Sequence, residues 1–562
     1  MSTGGGRGGG EDAMNPIPHS VDVVVVGAGP CGVLMANMLG TYGVKTAVLD
    51  SSTEIIDYPR AVGMDDESLR AMQLVGLSHD LLEDMIQNVP LRLFDRKGRC
   101  VANIRPTTRE FGWSRRNIFM QQNCERVLRK GLTRFDCVAL HLGYEVVGLA
   151  QRDDHVDVNA LGADGSDVTI QAQFVVGADG GRSSVRDLIG ARLEGDTHER
   201  KWVVVDCDND TVDAPYTALH CEPERPYVCV HLPHGYRRWE FMLFPGEDAD
   251  AMLDDKTVRS LLASRVSDTS GVNIIRARVY THHSRVADRF QFNRVFLVGD
   301  AAHLMPPWAG QGLNTGIRDV ANLAWKLAGA VQGRFSSSVL QTYQSERKPH
   351  AAAMVTMSTT LGKILSPTHR SIAVLRDAFL HASGWLPQVK KWALEMRFKP
   401  MPFYDKGFVA PRSDANVGTG IGRMFGQPNV RVDNGVTMKL DDALGDWITI
   451  LGWQADPTAS LAPAQLEELL RMGVTFYKVV GACPSTRRRA VNFDETLVLE
   501  DIDNDLRQWF EGSGMDYVVL RPDRYVAAAA THRDIGEQVQ RLLNIARGAA
   551  DPISTRPRRQ SA

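Results

Sequence analysis

The chain has 562 residues, too many for one hydrophobic core, and its 43% hydrophobic content predicts folded domains over most of that length. Its 64 Lys plus Arg against 67 Asp plus Glu give a net charge of -3, which leaves no basic excess to neutralise a nucleic-acid backbone. The eight cysteines form neither a CxxC pair nor a tight Cys/His cluster, and no apolar run reaches the roughly 20 residues of a membrane span, so neither a metal site, a disulfide framework nor a bilayer crossing is expected, and a reducing cytoplasm fits best.

The opening MSTGGGRGGGEDAMNP has no apolar core of a secretory signal and reads as a Gly-rich disordered tail over 1–20. VDVVVV at 21–26 is a β-branched run bounded by glycine, the pattern of a strand buried on both faces of a parallel sheet. GAGPCG follows at 27–32, then VLMANMLGTYG at helical spacing, then KTAVLD at 45–50, which completes a βαβ unit. A first nucleotide-binding part is therefore expected over 21–190. From 191 to 290 the pattern changes to separated strand-like runs, KWVVVDCDND, YVCVHLP, RRWEFMLFP and IIRARVYTHH, which predict an antiparallel sheet inserted in the nucleotide domain as the roof of a pocket. VFLVGDAAH at 295–303 returns to a buried strand, and helical text from 313 to about 395 fills out a second nucleotide-binding part over 291–400. Gly, Pro and Asn crowd 411–437, a smaller α/β unit completes 401–550, and 551–562 is a tail.

Three motifs carry chemistry. In GAGPCG, Gly27 permits a tight turn, Gly29 lets backbone amides approach a pyrophosphate and Gly32 lets helix pack on strand, while Asp50 stands about 20 residues on, where an acid accepts bonds from ribose hydroxyls. GADGGRSSVR at 177–186 places Asp179 at the end of another buried strand, either as a ligand contact or as part of a turn capping the helix near Ser183. GDAAHLMPP puts Asp300 at a third strand end, in reach of the ribityl hydroxyls of a flavin, and Pro306 with Pro307 sets an extended elbow beside the ring. In GQGLNTG, Gly310 and Gly312 allow close approach, and the helix starting near Leu313 turns its free amides toward the flavin edge that gains charge on reduction, an effect of about 0.3–2 kcal/mol through the helix dipole. Trp308 reads as a pocket wall. Arg237 and Arg238 read as solvated strand residues, unless one faces inward and binds a carboxylate through its fork.

Together these segments resemble the single-component aromatic flavoprotein monooxygenases, the family of p-hydroxybenzoate and phenol hydroxylases. The resemblance extends through IDYPRAVGMDDESLR, EFGWSRRNIFMQ, RPYVCVHLPHGYRRWEFM, RVYTHHSR, NLAWKL, LEMRFKPMP and RPDRYVA, leaving only the two tails outside it. It implies an α/β fold with a Rossmann-like FAD-binding domain, an inserted antiparallel-sheet substrate domain and a thioredoxin-like C-terminal domain. It implies that Gly27, Gly29, Gly32 and Asp50 hold the ADP half of FAD. Arg60, Gln121 and Asp179 then contact the cofactor, and Asp300, Gly312, Leu313 and Asn314 hold its ribityl and pyrimidine portions. NADH, or NADPH, and O2 are the implied co-substrates, visiting without a separate nicotinamide domain, and a small aromatic carboxylate is hydroxylated ortho to its phenol. For the group that takes the phenolic proton, His282, His303 and Tyr280 are candidates by position. The C-terminal unit departs from thioredoxin in having Cys483 as its only cysteine, which excludes disulfide exchange and leaves packing or subunit contact. The resemblance also implies a homodimer. Two other readings share the motifs: a hydroxylase of a larger phenol such as an aromatic polyketide, and a flavin-bound ligand sensor without turnover. A flavin halogenase is disfavoured, since WITILGW at 447–453 does not fit WxWxIP.

Overall fold

The computed structural model describes residues 17–58, 60–411, 418–432, 435–482 and 496–549; most of the expected N-terminal tail, the C-terminal tail and Cys483 lie outside them. Strand Ser20–Val26 is valine-rich because parallel strands flank it on both sides, Thr46–Asp50 and Asp167–Gly177, and helices cover the faces, leaving Val23, Val24 and Val25 wholly buried. Val295–Leu297 adds in parallel beyond Asp167–Gly177, and Val138–Leu142 beyond Thr46–Asp50. Because strands distant in sequence are neighbours here, the carboxyl ends near 27, 50, 178 and 298 stand side by side along one sheet edge. Strands Tyr144–Gln151 and Val156–Gly162 extend Asp167–Gly177 as an antiparallel meander.

The four runs expected as strands after 191 are Leu193–Asp208, Tyr227–His231, Arg237–Met242 and Asn273–Ala287, all in one eight-stranded sheet. That sheet is wider than the sequence indicated. Thr217–His220 pairs in parallel with Leu91–Phe94, which with Cys100–Ile104 comes from the stretch assigned to the first nucleotide-binding part. Alternation sorts its two faces: Arg238 and Glu240 pair with Val230 and Val228 on one side, while Arg237, Trp239 and Phe241 turn to the other, where Val203, Val205 and Cys229 pack. The C-terminal segment forms a seven-stranded mixed sheet with helices Pro463–Arg471, Asp505–Ser513 and Ile535–Arg547. Among the described residues no helix is long and apolar enough to cross a membrane.

A buried acid ties these parts together. Glu346, on helix Gln341–Leu365, accepts from Lys326 at 2.8 Å, from Asn322 at 2.6 Å, from Arg521 at 2.8 and 3.0 Å, and from the Phe408 amide at 2.8 Å. Burial alone would raise its carboxyl, but Arg521 and Lys326 outweigh that and hold it at about 2, against an ordinary 4.5. The folded state therefore binds this proton less readily than the unfolded chain, so its contribution is complete above pH 4.5 and is lost as pH falls toward 2. The expected melting temperature is level from neutral pH to about 5 and then falls steeply with acid, and thermal melts followed by circular dichroism across that range check it.

Candidate active site

A cavity of about 730 Å³ opens along the shared edge of the parallel strands, walled on one side by their tips and on the other by the second sheet. At the first tip, Gly27 takes φ +104° and a Cβ there would lie 2.5 Å from the Ala178 carbonyl oxygen, while a Cβ on Gly32 would lie 1.9 Å from the Gly27 oxygen. Those two glycines serve the turn and the close packing of helix on strand. Gly29 meets nothing within 4 Å, so its face stays open to the cavity. Helix Pro30–Thr41 begins there with no side-chain cap and with proline in its first turn, leaving its leading amides for an anion. Asp50 accepts from the Ala28 amide at 2.6 Å and the Ser52 amide at 2.7 Å, which fixes its carboxylate on the wall with lone pairs to spare.

The second tip carries both readings of Asp179. Its carboxylate accepts from Ser183 Oγ at 2.5 Å, Ser184 Oγ at 3.2 Å and the Val185 amide at 3.0 Å, so it braces the first turn of helix Ser184–Leu188, which Ser183 caps, while lining the cavity beside Gly180. Arg186 then bridges tips two and three, donating to Gly181 O and Ala301 O. At the third tip Asp300 is different: it opens onto the cavity and makes no hydrogen bond to any described side chain or amide. The protein around it raises its carboxyl from its ordinary value, against the pull of His303 and Arg60. The elbow is extended at Pro306 only; Pro307–Ala309 is a 3-10 turn ending at Gly310 with φ +61°. Helix Gly312–Val331 starts uncapped at the cavity wall. The Asn314 side chain is fully committed, accepting from the Asp65 amide and Ser68 Oγ and donating to Gly63 O and Gly310 O, so only its backbone amide is left to face a ligand.

Gln121 and Arg60 meet as well. The Gln121 oxygen accepts from the Arg60 and Ala61 amides at 2.9 and 2.8 Å, and its nitrogen donates to Glu125 at 2.8 Å. Glu125 and Arg129, which donates to Ala28 O at 3.2 Å, are site residues not singled out in the sequence, although 121, 125 and 129 fall on one helical face. The clustered carboxylates Asp65, Asp66 and Glu67 are committed to cations: Arg318 donates to Asp65 and Glu67, Lys399 to the same pair at 2.8 and 2.7 Å, and Arg115 lies 3.6 Å from Asp66.

On the roof, Trp202, Leu219, Val228, Val230, Arg238, Glu240 and His282 face the cavity. Trp308 meets Trp202 edge-on at 5.0 Å, and His282 stacks on Trp202 at 5.8 Å. The expectation of solvated arginines is corrected: Arg237 and Arg238 are 5% and 4% exposed, because both faces of their sheet are covered. Arg237 turns away from the cavity and donates to Val212 O and Ala214 O beside Asp210; Arg238 reaches the wall with its fork spent on Asp206 at 2.8 and 3.0 Å. Of the proton-acceptor candidates, His303 lies off the wall, wholly buried against Asp319 at 2.7 Å, and Tyr280 lies off it too; His282 alone of the three lines it.

The residues present fit an extended dinucleotide with a ring: an open glycine at one helix start, an unspent carboxylate midway and a second uncapped helix start beyond. Residues 20–358 match the family described as FAD binding domain, and 422–545 match the HcaD C-terminal domain. A 3-(3-hydroxyphenyl)propionate/3-hydroxycinnamic acid hydroxylase of Burkholderia vietnamiensis is 51% identical over 514 residues, covering 91% of this chain and 94% of that protein. A Shigella sonnei protein of the same name is 42% identical over 536 residues, covering 95% and 96%. Among solved structures, the flavin-dependent monooxygenase PieE in complex with FAD and substrate superposes with TM-score 0.76 at 21% identity over 94% of this chain and 99% of that one. Aklavinone-11 hydroxylase with FAD and aklavinone gives 0.73 at 22%, over 94% and 100%. The chain belongs to the FAD-binding-domain family of aromatic flavoprotein monooxygenases and is an oxidoreductase with FAD as its cofactor.

Proposed function

We propose that this protein hydroxylates 3-(3-hydroxyphenyl)propionate, and 3-hydroxycinnamate, ortho to the phenol. NADH, O2 and a proton are consumed, and 3-(2,3-dihydroxyphenyl)propionate, NAD+ and water are formed. The observation that carries this reading is one cavity joining three dinucleotide-type strand tips to an apolar sheet face, in a chain 51% identical to a hydroxylase of that name. FAD, when bound, supplies the hydride acceptor and the activation of oxygen. The chain supplies the rest. Gly27, Gly29, Gly32 and Asp50 hold the ADP half, Gln121 fixes the Arg60 loop over it, Asp179 braces the second tip, and Asp300 meets the ribityl hydroxyls. The backbone amides of Gly312, Leu313 and Asn314, free at an uncapped helix start on the cavity wall, would hold the pyrimidine portion, and the helix dipole there favours negative charge. Trp202 and Trp308 wall the ring site and keep water out. His282 accepts the phenolic proton; an Asn substitution that keeps the full rate at neutral pH would remove it from that role.

The spans 21–190 and 291–400 make the FAD-binding domain, 191–290 the substrate sheet with the added strands at 91–104, and 401–550 a thioredoxin-like unit, a division supported by the sheet connections and by the separate match over 422–545. A homodimer is supported by apolar side chains left open on helices Arg370–Ser383 and Pro387–Leu394, including Leu375 and Phe379, and by Trp385 between them; solution mass against 62.0 kDa per chain checks it. The functional reading is tested by NADH and O2 consumption with and without 3-(3-hydroxyphenyl)propionate. Stimulation by the phenol with a catechol product is expected. FAD binding without phenol-dependent turnover would mark a sensor, and turnover confined to bulky polycyclic phenols would mark the other hydroxylase class.

A further inference from the structure

We propose that Arg116 binds the carboxylate of the aromatic substrate, a proposal that rests on the reading of the cavity as a phenol-hydroxylase site. Among the described residues the cavity wall carries six Arg and Lys cations, and five are accounted for. Arg115 pairs with Glu110 and Asp66, Arg238 with Asp206, and Lys399 with Asp65 and Glu67. Arg60 and Arg182 occupy exposed positions beside the strand tips, with the Asp300 charge acting on Arg60. Arg116 is left. Its Nε donates to Val89 O at 3.1 Å, and among the described residues no carboxylate comes within ion-pair distance of its guanidinium and no acceptor meets its two terminal nitrogens. It stands on the wall all the same.

The local structure explains why the side chain stays there. Arg116 O accepts from the Val89 amide at 3.1 Å, so two bonds strap the residue to the segment that leads into strand Leu91–Phe94. Leu91, Leu93 and Ile104 of the roof, with Ile118 two residues on, make that end of the cavity apolar. A guanidinium enclosed there without a counter-charge is costly: burial draws its pKa down to about 10, with nothing acidic to offset it. An arriving carboxylate removes that cost and meets the two free nitrogens side by side, the geometry in which a guanidinium fork is most selective. Arg237 and Arg238, the arginines that the sequence offered for this task, are already engaged by protein oxygens. The arrangement therefore discriminates for phenols with an anionic side chain, and against neutral ones, which would leave the half-buried cation unpaired.

The test uses the oxidised FAD enzyme and two ligands of similar shape, 3-(3-hydroxyphenyl)propionate and neutral 3-propylphenol, with binding read from the perturbation of flavin absorbance and turnover from NADH oxidation. Arg116→Met is expected to raise Kd and KM for the propionate by about 10- to 100-fold, the range for a hydrogen bond to a charged group, and to leave 3-propylphenol bound as tightly as in the wild type or tighter, since no unpaired cation is then left beside it. Arg116→Lys, which keeps the charge and loses the fork, is expected to fall between. FAD content is measured in both variants. Propionate binding by Arg116→Met equal to wild type overturns this assignment alone, as does equal weakening of both ligands in both variants. A wild-type enzyme that turns over neither ligand overturns the functional reading, and the assignment with it.

Discussion

Replacing Asp300 with Ala is expected to give a folded, soluble protein that purifies without most of its flavin. The reason lies in what the carboxylate does not touch. It faces the cavity without a hydrogen bond to the described residues, and the surrounding protein raises its carboxyl despite the pull of His303 and Arg60, so in the absence of ligand it adds little to folding. Removing it should leave the stability of the FAD-free protein unchanged or slightly raised. Bound ribityl hydroxyls are its natural partners, and charge-assisted bonds to them are worth about 1.5–3 kcal/mol each, so the variant should bind FAD at least about tenfold more weakly. The stabilisation that FAD confers on the wild type shrinks in step, as mass action requires. The check is FAD fluorescence quenching together with melts of both proteins with and without added FAD. Full yellow occupancy in Asp300→Ala would refute the ribityl role.

Asp319→Ala, in contrast, is expected to lose stability and flavin together. Asp319 lies on helix Gly312–Val331 with no exposed surface; it accepts from Arg347 at 2.9 Å, from the Gly299 amide at 3.1 Å, and pairs with His303 at 2.7 Å. Truncation leaves the Arg347 guanidinium buried without its acid, a defect that costs about 3–5 kcal/mol. It also frees the Gly299 turn, which has φ +60° and carries Asp300 on its next residue, so the third strand tip loses its anchor. Asp319→Asn keeps an acceptor for the Gly299 amide and should fall between the two in melting temperature. Denaturation of the FAD-free proteins separates this case from Asp300→Ala, for which no such loss is expected; a fully stable Asp319→Ala would contradict the role given to His303 as a buried structural partner.

Local features of the sequence carried most of the nucleotide side. A β-branched run, a glycine turn and a helix follow one another over residues 20–41, and three of the strand tips mark themselves with GA or GD, so the parallel sheet and its convergent acids were legible without tertiary information. The roof was legible as strands and less so as a sheet. PLRLFDRKGRC at 90–100 is a short hairpin whose partner, Thr217–His220, lies more than a hundred residues on, and nothing local announces that pairing. Arg237 and Arg238 show the limit of pattern reading. Period-two alternation does put them on opposite faces, yet whether a face meets solvent depends on what covers it, and both faces here are covered. Arg116 was out of reach for the same reason, since RR at 115–116 looks alike twice and only the folded chain supplies acids to the first and none to the second.

On the proposed function, tips from separated strands build one site for FAD, with the phenol held between that site and the second sheet. Crystallography of the protein soaked with FAD and 3-(3-hydroxyphenyl)propionate tests it most directly. A single FAD is expected, running from Gly29 past Asp300 to Gly312, with the aromatic ring under the roof and its carboxylate at Arg116. FAD density anywhere else, or a propionate bound outside this cavity, would contradict it.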